Sequence, residues 1–124
     1  MKTAKKILII EDEKALSRAL ELKLTHAGFE AKCVSNGEDG VALIEKENFD
    51  LVLCDLVMPK MDGFEFLQFL QDKKIKLPVI VLTNLSQTED EKRVRDLGAI
   101  DFFIKSNTPV VEIVEKVKKQ LGVA

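Results

Sequence analysis

The 124-residue chain has no tryptophan, no tyrosine, three prolines, two cysteines and one histidine. With phenylalanine as its only aromatic residue type, it offers no evident aromatic cage or stacking platform. Cys33 and Cys54 do not form a Cys-x-x-Cys pair, and His26 alone cannot complete a Cys/His zinc set. Both cysteines lie in apolar runs, which favours two buried, reduced thiols over the alternative of a disulfide.

Long apolar runs and an excess of one charge are also absent. No stretch approaches the roughly 18 apolar residues of a transmembrane helix. The run at residues 7–10, which follows the N-terminal lysines, is shorter than the roughly 7–15 residues of a secretory signal core. We therefore expect a cytoplasmic protein without membrane contact. The net charge of −2 argues against direct binding of nucleic acid through bulk positive charge.

What is present is the composition of a folded domain. Hydrophobic residues make up 46 % of the chain and charged residues 32 %, so it can bury a core and remain soluble. This excludes a disordered or collagen-like chain. The length fits a single domain over residues 1–124, with a core at about residues 5–121.

Short runs rich in isoleucine and valine alternate with longer segments of helical periodicity. The unbroken apolar runs predict strands that are buried on both faces, as in a parallel sheet. The alternating segment at residues 30–34 predicts a half-buried edge strand. The five predicted strands lie at residues 6–10, 30–34, 51–54, 79–82 and 102–104.

Five helices are predicted between and after these strands. The first covers residues 13–26, and the others have recognisable start signals. These signals are Asn36, the Asp62/Glu65 pair, the Thr88/Glu91 pair and the Thr108-Pro109 dipeptide. The resulting (βα)5 order predicts a three-layer α/β fold with right-handed crossovers.

The fourth predicted helix has little to bury. Between Thr88 and Asp96 its only apolar residue is Val94, so tertiary packing should hold it weakly. It is either a solvated surface helix or an element that shifts between two positions.

Polar side chains follow four of the five predicted strands. The first strand leads into Glu11-Asp12-Glu13, the third into Asp55, the fourth into Thr83-Asn84 and the fifth into Lys105-Ser106. Singly, each is a common cap, turn or surface residue. Because the carboxyl ends of parallel strands meet at one edge, their joint placement indicates a site.

The residue types at this edge suit phosphoryl transfer. Glu11, Asp12 and Asp55 would repel one another without a cation, and oxygen-only ligands suit Mg²⁺. Aspartate can form an aspartyl phosphate, which makes Asp55 a candidate nucleophile. Lys105 would balance the charge of the transferred group, and Thr83 would donate a hydrogen bond to it.

These segments resemble the receiver domain of two-component response regulators over about residues 5–121. The resemblance is carried by ILIIEDE at residues 7–13, DLVMPKMDG at 55–63, VLT at 81–83 and FIK at 103–105. It implies a flavodoxin-like, three-layer sandwich whose five parallel strands have the order 2-1-3-4-5. It also implies a stand-alone or isolated receiver that is a monomer or weak dimer.

The resemblance further implies a signalling switch rather than an enzyme, acting chemically only on its own phosphoryl group. Asp55 would accept that group from a histidine kinase or phosphotransfer protein. The Val57 backbone carbonyl would join Glu11, Asp12 and Asp55 around Mg²⁺. Thr83 and Lys105 would contact the phosphoryl group, and Thr83 would be coupled to Phe102 as the switch. A downstream protein would read the surface formed by the fourth helix, fifth strand and fifth helix.

Several positions depart from the family pattern. Phe102 replaces a common tyrosine, and Asn84 stands where a small residue is usual, so it could crowd the site or hydrogen-bond the phosphoryl group. Ser106 replaces the usual proline; a cis bond there would cost about 2.5–4 kcal/mol, so we expect a trans bond or an altered loop. Val57 and Leu85 occupy positions that tune phosphoryl lifetime. Neither can orient a water by hydrogen bonding, which predicts self-dephosphorylation slower than seconds.

Three other functions compete with this one. A receiver-like interaction module would never be phosphorylated, and Asn84 and Ser106 are its best support. An aspartyl-phosphate phosphatase of the haloacid dehalogenase type would need a second aspartate at the position of Val57. A flavodoxin would need a first loop that cradles phosphate, whereas residues 11–13 are acidic and would repel it.

Overall fold

The computed structural model describes residues 4–84 and 88–123. Within them, five strands alternate with five α-helices, and a short 3-10 helix at Lys105–Asn107 follows the last strand. The strands are β1 (Lys6–Ile10), β2 (Glu30–Val34), β3 (Leu51–Cys54), β4 (Val79–Thr83) and β5 (Asp101–Ile104). The helices are α1 (Lys14–His26), α2 (Gly37–Lys46), α3 (Gly63–Asp72), α4 (Thr88–Asp96) and α5 (Val110–Gln120).

All five strands form one parallel sheet in the order β2-β1-β3-β4-β5. The predicted topology is therefore confirmed, including the edge position of β2. The register pairs Ile10 with Cys54 and Thr83 with Ile104. It brings the residues that follow β1, β3 and β5 to the same edge of the sheet.

The core has two halves, one on each face of the sheet, which accounts for the unbroken apolar strands. Leu8 and Ile10 of β1 belong to the half that contains α3 and Val94 of α4. Ile7 and Ile9 belong to the half that contains buried residues of α1 and α5. The alternation of β1 between two covering layers makes the fold a three-layer sandwich.

Two of the predicted helix starts are confirmed by their hydrogen bonds. The Asn36 side chain accepts a hydrogen bond from the Asp39 N–H at 2.9 Å. Asp62 and Glu65 form a complete capping box, with bonds of 2.9 and 3.1 Å. Both contacts satisfy amide groups that have no partner within the helix.

The start of α5 differs from the prediction. Pro109, not Thr108, precedes its first residue, and no side chain caps it. The Thr108 hydroxyl instead donates to the carbonyl of Ile104, four residues back, at 2.9 Å. The Thr108 hydroxyl therefore stabilises the turn after β5, whereas the sequence predicted that it would cap α5.

The two cysteines have different environments, which corrects the prediction that both are buried. Cys54 lies buried in β3, whereas Cys33 is exposed, and both are free thiols. Cys33 lies on β2, which pairs only with β1 and leaves its other edge open.

Helix α4 is anchored by one buried side chain among those the structure describes. Val94 is fully buried, while the other described side chains of the helix are exposed or half-buried. This confirms the expected thin anchoring. The helix begins at Thr88, whose side chain lies outside the described residues, as does its predicted pairing with Glu91.

No helix in the described part of the chain is long and apolar enough to cross a membrane.

Candidate phosphoryl-acceptor and metal site

Four strands deliver the predicted site residues to the carboxyl edge of the sheet. Glu11 follows β1, Asp55 follows β3, Thr83 ends β4 and Lys105 follows β5. Glu11 and Asp55 are only 4 % and 5 % exposed, and Thr83 is fully buried. Asp12 is exposed beside Glu11. The structure therefore buries Glu11, Asp55 and Thr83 almost completely at this edge and leaves Asp12 accessible to solvent.

Backbone hydrogen bonds hold the two buried carboxylates in place. The Asp55 N–H donates to the Ile10 carbonyl at 2.9 Å, which continues the ladder between β1 and β3 past the last strand residue. The side chain of Asp55 accepts a hydrogen bond from the Leu56 N–H at 2.7 Å. Glu11 accepts one from the Glu13 N–H at 3.0 Å. One oxygen of each carboxylate is thus fixed by main chain, and the other is left for a cation.

That cation is the ammonium group of Lys105. Its Nζ lies 2.8 Å from Glu11 Oε1 and 3.0 Å from Asp55 Oδ2, and its side chain is 12 % exposed. Burial opposes the charge on Lys105, but its contacts with Glu11 and Asp55 outweigh burial and raise the pKa above the usual 10.5. The lysine therefore remains charged and joins the ends of β1, β3 and β5.

The buried glutamate is electrostatically unusual. Burial raises the pKa of Glu11 from 4.5 to about 7, although Lys105 and the Glu13 N–H favour its charged form. The nearby Asp55 charge raises it further. A second cation near Glu11 would oppose this effect and favour the carboxylate.

The arrangement fits a divalent cation. Carboxylate oxygens of Glu11, Asp12 and Asp55 lie within 4.8 Å of one another. Glu11 Oε1 is buried and, although it is ion-paired with Lys105, has no hydrogen-bond donor in good geometry among the described residues. Three hard oxygen donors match the preference of Mg²⁺, which keeps further positions for water and phosphoryl oxygens.

The loop from β3 to α3 runs beside this cluster. Val57, two residues after Asp55, is 61 % exposed. Gly63 closes the loop, and its N–H donates to the Leu56 carbonyl at 2.9 Å. A Cβ at Gly63 would collide with the Asp55 carbonyl oxygen and with Leu56. This glycine is part of the DLVMPKMDG motif, and its lack of a side chain allows α3 to approach Asp55.

Among the predicted switch and tuning residues, Thr83, Phe102, Val57 and Asn84 belong to the described part of the chain. Phe102 of β5 is half-buried and packs against the core that contains α3 and α4. Asn84 is exposed immediately after Thr83. Leu85 lies outside the described residues.

The peptide bond after Lys105 confirms one of the two outcomes that the replacement of proline by Ser106 predicted. No cis peptide bond occurs in the described residues, so the Lys105–Ser106 bond is trans. A turn of 3-10 helix covers Lys105–Asn107.

One contact near α4 was not predicted. The Arg93 guanidinium lies 4.0 Å from the centre of the Phe64 ring, which joins α4 to the first turn of α3. The two residues are 29 positions apart in the sequence, and neither belongs to a pattern that would pair them.

The comparisons with known proteins agree with this architecture. Residues 7–118 match the family model of the response regulator receiver domain. The chain is 38 % identical over 104 residues to a probable transcriptional regulator, ycf27, of Porphyridium aerugineum. It is 34 % identical over 100 residues to the cell cycle response regulator CtrA of Brucella ovis. These matches cover 84 % and 81 % of this chain and 43 % of each relative, so the chain spans less than half of their length.

Solved structures give the same result. A CheY-like response regulator receiver domain protein from Methanospirillum hungatei superposes with a TM-score of 0.89 at 28 % identity, covering 97 % of this chain and 95 % of that one. A parallel five-stranded sheet with an acidic pocket at its carboxyl edge defines a receiver-type signalling module. The chain belongs to the response regulator receiver domain family.

Proposed function

We propose that the chain is a phosphorylation-dependent switch in which Asp55 accepts a phosphoryl group. Receiver domains are signalling modules of two-component systems rather than classical enzymes. The observation that carries the proposal is the Lys105 ammonium between Glu11 and Asp55, beside a cluster of three carboxylates. Such a group is placed to neutralise charge on an incoming phosphoryl group. The chain would form one receiver domain over residues 1–124, with its core at about 5–121.

The donor would be a histidine kinase or a phosphotransfer protein. In the transfer, an Asp55 carboxylate oxygen forms a new P–O bond while the P–N bond of phosphohistidine breaks, and its electron pair returns to the imidazole nitrogen. Glu11, Asp12, Asp55 and the Val57 carbonyl would hold Mg²⁺, which would neutralise charge on the phosphoryl oxygens when bound. Lys105 would contact one phosphoryl oxygen, and Thr83 would donate a hydrogen bond to another.

The response would be a shift of α4 and the neighbouring surface of β5 and α5. A phosphoryl group adds about −1.5 to −2 charge, and it favours one state only through contacts that differ between the states. Thr83, paired in register with Ile104, and Phe102 would couple the site to that surface. Besides the buried Val94, exposed polar contacts hold α4, since Arg95 lies 3.6 Å from Asp101 and donates to the Ile100 carbonyl. Such contacts exchange at low cost when the helix moves.

The output would be contact with another protein, without direct nucleic acid binding by this chain, whose net charge is −2. The chain would act as a monomer or weak dimer in the cytoplasm. Because Val57 and Leu85, two of the predicted tuning residues beside Asn84, cannot orient a water by hydrogen bonding, its self-dephosphorylation would be slow. A pulse-chase in which the label is lost within seconds would contradict slow loss.

Phosphorylation of purified protein by acetyl phosphate in the presence of Mg²⁺ tests the proposal. We expect wild type to gain one phosphoryl group and Asp55→Asn to gain none. Asp62→Asn is the matched control, because asparagine also caps a helix and Asp62 belongs to the capping box of α3. Stoichiometric labelling of Asp55→Asn would refute the assignment. No labelling of wild type and no Mg²⁺-dependent response to beryllofluoride would favour the unphosphorylated interaction module.

A further inference from the structure

The position of Lys105 depends on the turn that follows β5. Lys105 is the first residue after the strand and the first of the 3-10 turn. Ser106 and Asn107, the other residues of the turn, are exposed. Neither of them is buried against the core, so the turn needs another constraint to hold the lysine backbone at the end of the strand.

Thr108 supplies that constraint. Its hydroxyl donates to the Ile104 carbonyl at 2.9 Å, and its N–H donates to the Lys105 carbonyl at 3.4 Å. The first bond joins the residue before Lys105 to the residue after the turn. It therefore closes a five-residue loop that contains Lys105.

Thr108 is itself held from the other side. Pro109 follows it with φ at −62°, the value to which its ring restricts it. The Pro109 carbonyl accepts hydrogen bonds from Glu112 and Ile113, and Ile113 is buried in the core beneath α5. Ile113, Pro109 and Thr108 thus link the core beneath α5 to the end of β5 through hydrogen bonds and the chain itself.

We propose that Thr108 is a positioning residue for phosphoryl transfer: its hydroxyl clamps the turn after β5 and so holds Lys105 against Glu11 and Asp55. The inference deepens the proposed function. It assigns Thr108 no contact with the phosphoryl group or the metal. The clamp acts through the backbone and leaves the three carboxylates in place.

The substitution Thr108→Val tests the clamp, because valine keeps the β-branched shape and lacks the hydroxyl. We expect the rate of phosphorylation by acetyl phosphate to fall about 3- to 10-fold, the scale of one lost hydrogen bond. The Mg²⁺ dissociation constant should change less than about 2-fold, because no metal ligand is altered. Thr108→Ser keeps the hydroxyl and should restore the rate. Thr25→Val makes the same chemical change at an exposed site on α1 and should have no effect.

A second measurement is independent of phosphorylation. In metal-free protein labelled at lysine ¹³Cε, the two Hε protons of a held Lys105 give separate resonances. We expect Thr108→Val to merge them and Thr108→Ser to keep them separate. If wild type accepts no phosphoryl group, the proposed function fails. The NMR comparison alone then tests whether the Thr108 hydroxyl holds Lys105 in place.

The clamp is overturned by either of two results. In one, Thr108→Val matches wild type in both the phosphorylation rate and the Lys105 resonances. In the other, Thr108→Ser is as impaired as Thr108→Val, which would show that the hydroxyl does not by itself hold the turn. If Thr108→Val does not fold, Thr108→Ala takes its place in the same comparisons.

Discussion

Lys105 is the central cation of the site, because its ammonium group lies between two carboxylates that are almost fully buried. Two charges of one sign cannot share a buried site cheaply, so the lysine compensates Glu11 and Asp55 in the absence of a metal. In the proposed transfer, the same group would contact a phosphoryl oxygen. Lys105 would therefore compensate the carboxylates and contact the phosphoryl group from the same position.

Replacing Lys105 by methionine therefore has a predictable cost. In the absence of Mg²⁺ at about pH 8, Lys105→Met should lower the free energy of unfolding by about 1–3 kcal/mol, since two carboxylates are left facing each other. Urea unfolding measures the loss. Lys118→Met is the control. Among the described residues Lys118 forms an ion pair with Glu115 alone, at 3.2 Å and partly exposed to solvent, so a loss of about 0.5 kcal/mol or less is expected.

Magnesium should rescue the lysine variant. A cation bound to the carboxylates replaces the lost ammonium, so Mg²⁺ should stabilise Lys105→Met more than wild type in the same urea experiment. Equal stabilisation of the two proteins would contradict a cation site at these carboxylates.

At the scale of elements, α4 and α5 are anchored in opposite ways. Helix α5 buries Ile113, Val114 and Val117. In the described part of α4, Val94 is the one buried side chain, and Arg93 and Arg95 contact Phe64 and Asp101. Helix α4 should therefore open locally at lower free energy than the rest of the fold.

The substitution Val94→Ala tests this difference. It should cost about 1–3 kcal/mol, and hydrogen exchange should show the protection lost mainly in α4. Val117→Ala removes the same groups from a fully buried site on α5 and should lower protection more widely across the fold. The same distribution of lost protection in both variants would contradict a separately opening α4.

Glu47, in the loop after α2, forms ion pairs with the amino end of β1 and the middle of β2. Its carboxylate lies 2.6 Å from Lys6 Nζ on β1 and 2.7 Å from Lys32 Nζ on β2. Hydrogen bonds from Lys32 and Lys6 lower the pKa of Glu47 from 4.5 to about 2. The lowered pKa means that the folded state favours the charged form.

This shift fixes the sign of a pH effect. The stabilisation by Glu47 is fully present above about pH 4.5 and is lost as the pH falls toward about 2, where the folded state also takes up the proton. Glu47→Gln should therefore be less stable than wild type near pH 7, and the difference should shrink near pH 3. Denaturant unfolding at the two pH values measures it, with the exposed Glu45→Gln as control. A difference that does not change with pH would contradict the ion-pair assignment.

At the scale of the whole molecule, the small net charge conceals a separation between two groups of charged residues. Glu11, Asp12, Asp55 and Lys105 gather at the carboxyl ends of the strands. The Glu47 ion pairs lie away from that edge, with Lys6 at the start of β1 and Lys32 in the middle of β2. Changes in one group should add to changes in the other, because they share no contact.

The sequence predicts the sheet and the site well because both follow from local pattern. Unbroken apolar runs identify the buried strands, and the polar residues after them identify the edge where Glu11, Asp55 and Lys105 meet. The exposure of Cys33, the turn made by Thr108 and the contact of Arg93 with Phe64 were not predictable in this way. The exposure of Cys33 and the contact of Arg93 depend on which distant segment becomes a neighbour. The Thr108 hydroxyl instead had two local partners to choose from, the start of α5 and the Ile104 carbonyl.

The most direct test of phosphoryl transfer to Asp55 is to locate the group chemically. Protein phosphorylated by acetyl phosphate with Mg²⁺ is reduced with borohydride, which converts an aspartyl phosphate into homoserine, and its peptides are sequenced by mass spectrometry. Homoserine at position 55 and at no other aspartate is the expected result. Homoserine at another aspartate, with Asp55 unchanged, would contradict the account.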